Sequence, residues 1–258
     1  MQVNEPNIGK NEVDITFFVP CLNEEENILP TIGTILEAVG KVGLTYEILI
    51  IDDNSTDGTV PAIETYMKEH PEVDIRLRRN AVTRGLGRNY VDGAYIGKGK
   101  YYMLVNGDNA EPEETIVAVI GRLGAADMVI PYMGKNDDRT LLRRTISSTF
   151  TSLVNLLGGY SVNYYNGPVA HLRFNVMRWH SDTEGFAYQA EIITRLLDEG
   201  ATYVEVPFAN YDRSRGISKA FRVKNLFSVA HSLLQIFLRR LRRALFYRHY
   251  GPISRSRK

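Results

Sequence analysis

Tyr101-Tyr102-Met103-Leu104-Val105-Asn106-Gly107-Asp108-Asn109-Ala110-Glu111-Pro112 reads YYMLVNGDNAEP, an apolar run that stops abruptly at amides, a carboxylate and a glycine. This is the pattern of a buried strand that delivers polar groups to one of its ends. Taken alone, Asn106-Gly107-Asp108 serves equally as an ordinary type I′ or II turn. Its meaning depends on what else reaches the same place.

Working outward, strands are expected at Ile15–Pro20, Glu47–Ile51, Ile75–Leu77, Tyr101–Asn106 and Asp127–Pro131. Helical spacing joins them over Glu25–Val39, Thr59–Glu69, Arg88–Ile96 and Glu113–Leu123, with Asn23/Glu26 and Asp57 placed as helix-start signals. Alternation of this kind builds an α/β fold, a mostly parallel sheet flanked by helices. Past Pro131 the pattern predicts helices over Leu141–Leu157 and Ala187–Glu199, a strand over Thr202–Phe208, and a long helix over Phe221–Tyr247. No internal repeat or low-complexity linker divides the 258 residues, which are 44% hydrophobic and 24% charged. They read as one domain over 1–219 with a helical tail over 220–258.

In open α/β sheets, ligands bind beyond the carboxyl ends of the strands. Four polar segments belong there: Pro20-Cys21-Leu22-Asn23-Glu24-Glu25-Glu26, Asp52-Asp53-Asn54-Ser55-Thr56-Asp57-Gly58-Thr59, Thr83-Arg84-Gly85-Leu86-Gly87-Arg88, and the 105–112 stretch. The second reads equally as an Asx-turn with a helix cap, and a Gly-x-Gly pair carries little by itself. Their conjunction on one edge points to a ligand, because capping and solubility alone do not ask for so many acids there.

With these residues in this order, the chain resembles the family-2 inverting glycosyltransferases of GT-A (Rossmann-like) fold, in particular the dolichyl- or polyprenyl-phosphate mannose (sugar) synthases. The resemblance runs from about Phe17 to Lys219. It rests on Phe18-Val-Pro-Cys-Leu-Asn-Glu-Glu-Glu-Asn27, on Ile51-Asp-Asp-Asn-Ser-Thr-Asp-Gly-Thr59 and on Gly85-Leu-Gly87. It implies a nucleotide-sugar donor, GDP- or UDP-linked, with Pro20, Glu24, Asp52 and Asp53 at base and ribose and with Asn23, Arg84 and Gly85 among the donor-binding residues.

The family carries D-x-D, a divalent-cation motif, where this chain has Asn106 and Asp108. The resemblance therefore implies Mg²⁺ or Mn²⁺ held by Asn106 and Asp108 against the diphosphate, more weakly than in D-x-D relatives because an amide brings no charge. The relatives' further Gln ligand is Ala110 here; Glu111 either compensates or is the first-turn acid of the helix opening at Pro112. Arg213-Ser-Arg-Gly-Ile-Ser-Lys219 resembles the segment that closes over the diphosphate, so Arg213 and Lys219 join Asp108 as catalytic residues. A solvated basic loop is the other reading of that segment.

An acceptor phosphate is already an anion and needs positioning by cations more than a base. Leu142-Arg143-Arg144-Thr145-Ile146-Ser147-Ser148 resembles the family's acceptor helix in either of two registers, Arg143/Ser147 or Arg144/Ser148. Gly185 to Glu191 resembles a further motif, in which Glu191 fixes active-site loops beside the acceptor. For a hydroxyl acceptor, Asp182 or Glu184 is the candidate base.

The net charge of +1 hides an asymmetry: Arg213–Lys258 holds 13 Lys/Arg and no acid, against 18 Lys/Arg and 30 Asp/Glu before it. No apolar run in the tail has spanning length. Leu226–Leu238 followed by Arg239, Arg240, Arg242 and Arg243 reads as a basic amphipathic helix at a membrane interface. The other reading packs it on the catalytic domain or on a second subunit, so a homo-oligomer stays open. No aromatic platform accompanies the basic residues, which argues against nucleic acid. The absence of a Q-x-x-R-W motif and of a bundle of spanning helices argues against a processive polysaccharide synthase. The five histidines show no metal-ligand spacing, the single Cys21 fits a reducing compartment, and no secretory pattern opens the chain. The expected location is cytoplasmic, peripheral on the cytosolic face of a membrane. Asn106 keeps a non-catalytic nucleotide-sugar-binding protein as an alternative.

Overall fold

The computed structural model describes residues 13–134, 140–178, 187–208 and 223–246. Seven strands, β1 (Ile15–Cys21), β2 (Tyr46–Asp52), β3 (Ile75–Arg79), β4 (Tyr101–Leu104), β5 (Met128–Met133), β6 (Ala170–Leu172) and β7 (Tyr203–Phe208), form one sheet in the order β3-β2-β1-β4-β6-β5-β7. Pairing is parallel except at β6, which runs antiparallel to both β4 and β5. The helices are α1 (Ile28–Val42), α2 (Thr59–Glu69), α3 (Leu86–Ile96), α4 (Glu113–Ile120), α5 (Leu141–Gly158), α6 (Arg173–Met177), α7 (Tyr188–Asp198) and α8 (Val223–Phe246).

The central strands are apolar on both faces because both faces are covered. Period-2 alternation sorts their side chains: Ile15, Phe17, Val19, Ile48 and Ile50 pack with Ile28, Ile32 and Ile35 of α1, whereas Phe18, Leu49 and Ile51 pack with Tyr90, Tyr102 and Tyr188 on the other side. The spacing of Ile28, Thr31, Ile32, Ile35, Ala38 and Val39 makes one buried stripe on α1. That helix ends at Gly43, whose left-handed φ of 76° lets its N–H donate to Val39 O.

Three sequence expectations need correction. Segment 170–177 is given no element by the sequence pattern, yet Ala170–Leu172 inserts as β6 between β4 and β5 and continues into α6. The β4 ladder stops at Leu104 rather than Asn106, freeing the next residues to turn outward. Helix α1 begins at Ile28 with no side-chain cap, so Asn23/Glu26 is not its start signal.

Helix α8 packs against α5 and α7. Ser232 and Ile236 are buried there, Arg239 Nε donates to Asp198 at 2.7 Å, and Arg243 pairs with the other Asp198 oxygen. Among the described residues no helix is long and apolar enough to cross a membrane.

Candidate active site

The strand order places β1 between β2, whose chain continues outward to β3, and β4, which starts the other half of the sheet. The crevice beyond β1 and β4 is therefore the topological switch point of the fold. Main-chain bonds stitch the loops along this rim. Asn80 N donates to Asp52 O, Asp53 N to Cys21 O, Val105 N to Phe18 O, and Gly107 N to Pro20 O at 3.1 Å. Gly107 is required where it stands: a Cβ would lie 2.8 Å from Pro20 O and 3.1 Å from Cys21 Cβ. Pro20, Cys21, Asn106 and Asp108 are thus brought to one spot by backbone geometry.

Much of the acid inventory braces these loops, which corrects the view that capping would not use it. Asp53 accepts from Asn80 Nδ2, Arg84 N and Gly85 N, each at 2.9 Å. Burial works to raise its pKa, but the donors Arg84 N–H, the Asn89 and Asn80 amides and Gly85 N–H together hold the carboxyl below its ordinary value. Asp52 accepts from Ser55 N at 3.2 Å and lies 3.8 Å from the Cys21 thiol. Asp57 receives the N–H and hydroxyl of Thr59 at the start of α2, as its position predicted. Glu25 receives Gly58 N, and Asn23 Oδ1 receives Thr56 N at 2.8 Å. Glu24 is half-buried, receives Asn27 Nδ2, and its own N–H donates to Thr59 Oγ1. Arg84 pairs with Asp92 of α3.

The three non-glycine residues of positive φ among those described, Asn23 (57°), Asn54 (75°) and Asn109 (53°), fall one in each of the loops after β1, β2 and β4. Asparagine tolerates this conformation better than other side chains, and such backbone gathers at functional rims. The sequence reading began its third segment at Thr83 and so missed Asn80, which holds Asp53 and Asn89 together. Its place directly after β3 was the available signal.

After β4, Asp108 is partly exposed and its carboxylate accepts Ala110 N at 3.1 Å. Glu111 is not the first-turn acid of α4: it is buried ahead of Pro112, and α4's first-turn acids are Glu113 and Glu114. Its carboxylate accepts Asn106 N at 3.1 Å and Asn106 Nδ2 at 2.6 Å. Burial pushes its pKa up to about 7 against the pull of those bonds. Burial first, and the charge of Glu111 as well, push the Tyr188 phenol up.

Among the described residues no group of three or more His, Cys, Asp or Glu forms a metal cage. The donor set at the rim, one amide oxygen and one carboxylate either side of Gly107, fits a hard cation that completes its shell with diphosphate oxygens and water.

Strands β5 and β7 run parallel to β4, because β6 reverses twice, so both end at the same rim. Helix α5 follows β5, and its Arg143 and Ser147 are partly sheltered while Arg144 and Ser148 are exposed. Glu191 on α7 is fully buried and pairs with Arg195 at 2.7 Å. Arg213, Lys219, Asp182 and Glu184 lie outside the described residues.

The same organisation is seen in known proteins. The chain is 26% identical over 218 residues to dolichol-phosphate mannosyltransferase of Saccharomyces cerevisiae, covering 80% of this chain and 81% of that one. It is 25% identical to undecaprenyl-phosphate mannosyltransferase of Micrococcus luteus, over 78% of this chain and 85% of that one. Among solved structures, a mannosyltransferase of Pyrobaculum calidifontis in complex with GDP-Man and Mn²⁺ superposes with a TM-score of 0.63 at 17% identity, over 89% of this chain and 64% of that chain. Glucosyl-3-phosphoglycerate synthase of Mycobacterium tuberculosis, in complex with Mn²⁺, UDP and phosphoglyceric acid, gives 0.63 at 18%, over 88% and 78%. These likenesses show the GT-A fold. The family model for glycosyl transferase family 2 matches residues 16–181, which takes in the rim from β1 through β6, and the chain belongs to that family.

Proposed function

We propose that the protein is an inverting hexosyltransferase that moves a sugar from a GDP- or UDP-sugar to a polyprenyl or dolichyl phosphate at the cytosolic face of a membrane. The observation that carries this reading is the Asn106-Gly107-Asp108 turn held against Pro20 at the β1/β4 switch point, in a chain whose relatives across about four-fifths of its length are lipid-phosphate mannosyltransferases.

The base and ribose lie along Pro20, Glu24, Asp52 and Asp53, with Asn23, Arg84 and Gly85 also among the donor-binding residues. Because Asp53 is committed to Arg84 N and Gly85 N, its part is to hold that loop at the right height for the nucleotide. Asn106 and Asp108 hold a divalent cation jointly with the diphosphate, and that cation supplies Lewis-acid neutralisation of the leaving charge. Arg213 and Lys219 add positive charge over the same oxygens. The partly sheltered pair Arg143 and Ser147 orients the acceptor phosphate, in preference to the exposed Arg144 and Ser148. An oxygen of that phosphate attacks the anomeric carbon as the bond to the diphosphate breaks on the opposite side, inverting the configuration. Glu191, locked by Arg195, steadies α7 beside the site.

Residues 220–258 serve as the membrane-interface element in this reading. Leu234, Phe237, Leu238, Leu241, Leu245 and Phe246 of α8 are exposed, a continuous apolar face suited to lipid beside an acceptor that never leaves the bilayer. Since Arg239 and Arg243 hold Asp198, Arg240 and Arg242 are the arginines assigned to headgroups.

The test is to incubate purified protein with UDP- and GDP-sugars, Mg²⁺ or Mn²⁺, and polyprenyl phosphate, a saccharide or water, and to measure nucleoside diphosphate release. Release that requires the lipid phosphate is expected and names the donor. Release only with saccharide moves the chemistry to Asp182 or Glu184 as base, and no release with any acceptor points to a binding protein.

A further inference from the structure

Glu111 poses a physical problem. A carboxylate only 8% exposed costs stability unless strong partners satisfy it, and here it accepts from the main-chain N–H and the side-chain NH₂ of Asn106. Helix α4 does not need it, since Glu113 and Glu114 already occupy its first turn. Its effect is on Asn106. A carboxamide has donors at one end and an acceptor at the other, so gripping the NH₂ at 2.6 Å fixes which end faces the rim. Hydrogen bonding of an amide N–H to a carboxylate also polarises the group, moving negative charge onto its oxygen. Carboxylates behind metal-bound histidines act in this way.

We propose that Glu111 is a positioning residue that orients and polarises Asn106, so that positions 106 and 111 together present to the cation and diphosphate the charge that one acid at 106 would otherwise supply. This rests on the functional reading above for what the Asn106 oxygen meets, but not for the pairing itself. The physical consequence runs against simple repair of the motif. Replacing Asn106 by Asp sets a second carboxylate within hydrogen-bond distance of a buried one, and like charges there repel. Replacing Glu111 by Gln offers only one acceptor oxygen to two Asn106 donors, so the amide turns or a donor is lost.

The experiment is a double-mutant cycle on the full chain, with N106D, E111Q and the pair N106D/E111Q. It reads thermal unfolding without ligands and Mn²⁺ binding in the presence of GDP or UDP by electron paramagnetic resonance. N106D alone should lower Tm by roughly 5 °C and weaken Mn²⁺ binding about 10-fold or more. E111Q should weaken Mn²⁺ binding about 10-fold while leaving Tm within roughly 3 °C of the parent. The pair should recover both, because the Gln NH₂ can now donate to the Asp. N106D that keeps its Tm and binds Mn²⁺ as tightly as the parent overturns the proposal. So does E111Q with unchanged binding, or a pair no better than N106D. A parent that binds Mn²⁺ with neither diphosphate sinks the functional reading and the positioning role with it, while a parent that binds alongside an equally competent E111Q sinks the positioning role alone.

Discussion

The loops after β2 and β4 are built from the same materials and use them differently. In the first, Asp53 receives the main-chain N–H groups of Arg84 and Gly85 and Asp57 that of Glu25, all across loops, beside local bonds from Ser55 to Asp52 and from Thr59 to Asp57. In the second, the buried acid receives the side chain of Asn106, itself a candidate ligand, and Asp108 receives Ala110 N from within its own turn. An acid satisfied by neighbouring loops fixes the shape of the rim. An acid satisfied within its own turn fixes the aim of one or two side chains.

The largest test of this contrast is Asp108→Ala. If the β4 loop carries the chemistry, nucleoside diphosphate release should fall on the order of 10³-fold while the Tm of the ligand-free protein hardly moves. A comparable loss of Tm would make the β4 loop a brace like its neighbour. Asp53→Ala should do the reverse. It orphans Arg84 N and Gly85 N and leaves Asn80 Nδ2 only its bond to Asn89 Oδ1, and a loss of about 3 kcal/mol in urea unfolding of the ligand-free chain is expected. Asp53→Asn should recover part of that loss. Unfolding free energy unchanged in Asp53→Ala would show that the loop after β3 holds without it.

Acid lability separates the rim from the core beneath it. His171 on β6 is buried with Nε2 3.2 Å from Gln189 Oε1, and burial lowers its pKa from 6.5 to about 4. The folded state therefore binds fewer protons than the unfolded chain between those values. Stability is full above pH 6.5 and is lost by about 3 kcal/mol as pH falls toward 4. Asp53 is lowered from 3.8, so its contribution persists above that value and disappears only at still lower pH. Glu111, its pKa raised from 4.5 to about 7, titrates over nearly the same range with the opposite sign, so the His171 contribution is read as the difference between wild type and His171→Gln in urea unfolding from pH 7 to 3. A difference of zero above pH 4 would assign acid lability to the rim alone.

The sheet was legible because each of its long strands carries enough period-2 or all-apolar residues to declare itself, and each connecting helix has its stripe. Strand β6 was not, since Ala170-His171-Leu172 is too short for any period and owes its place to the partners on both sides. The rim was legible as a collection of polar segments, because the carboxyl ends of parallel strands must share one edge. What each acid does there was not. A carboxylate in D-D-N-S-T-D-G reads the same whether it faces a ligand or the N–H groups of a loop some 30 residues away, and only tertiary geometry tells Asp53 from Asp108. Glu111 shows the same limit, since an acid before Pro112-Glu113-Glu114 looks like a helix-start signal until its burial against Asn106 is seen.

The smallest effects belong to the asparagines of positive φ, and they grade the comparison most finely. Alanine in this backbone region costs about 1 kcal/mol, glycine nothing. Asn23→Ala should be the most damaging, because it also removes the acceptor for Thr56 N and so unties the β1 loop from the β2 loop. Asn109→Ala loses the bond from Thr34 Oγ1 at 3.0 Å, an exposed contact of smaller weight. Asn54→Ala should show the backbone term alone. The corresponding glycine variants cancel that term, so Asn54→Gly should unfold like the parent, whereas Asn23→Gly should stay weaker by the lost Thr56 bond. If Asn23→Gly instead matches the parent, the β1 and β2 loops do not depend on that bond. The bracing of the rim then resides in the carboxylates of Asp53, Asp57 and Glu25 and their main-chain donors.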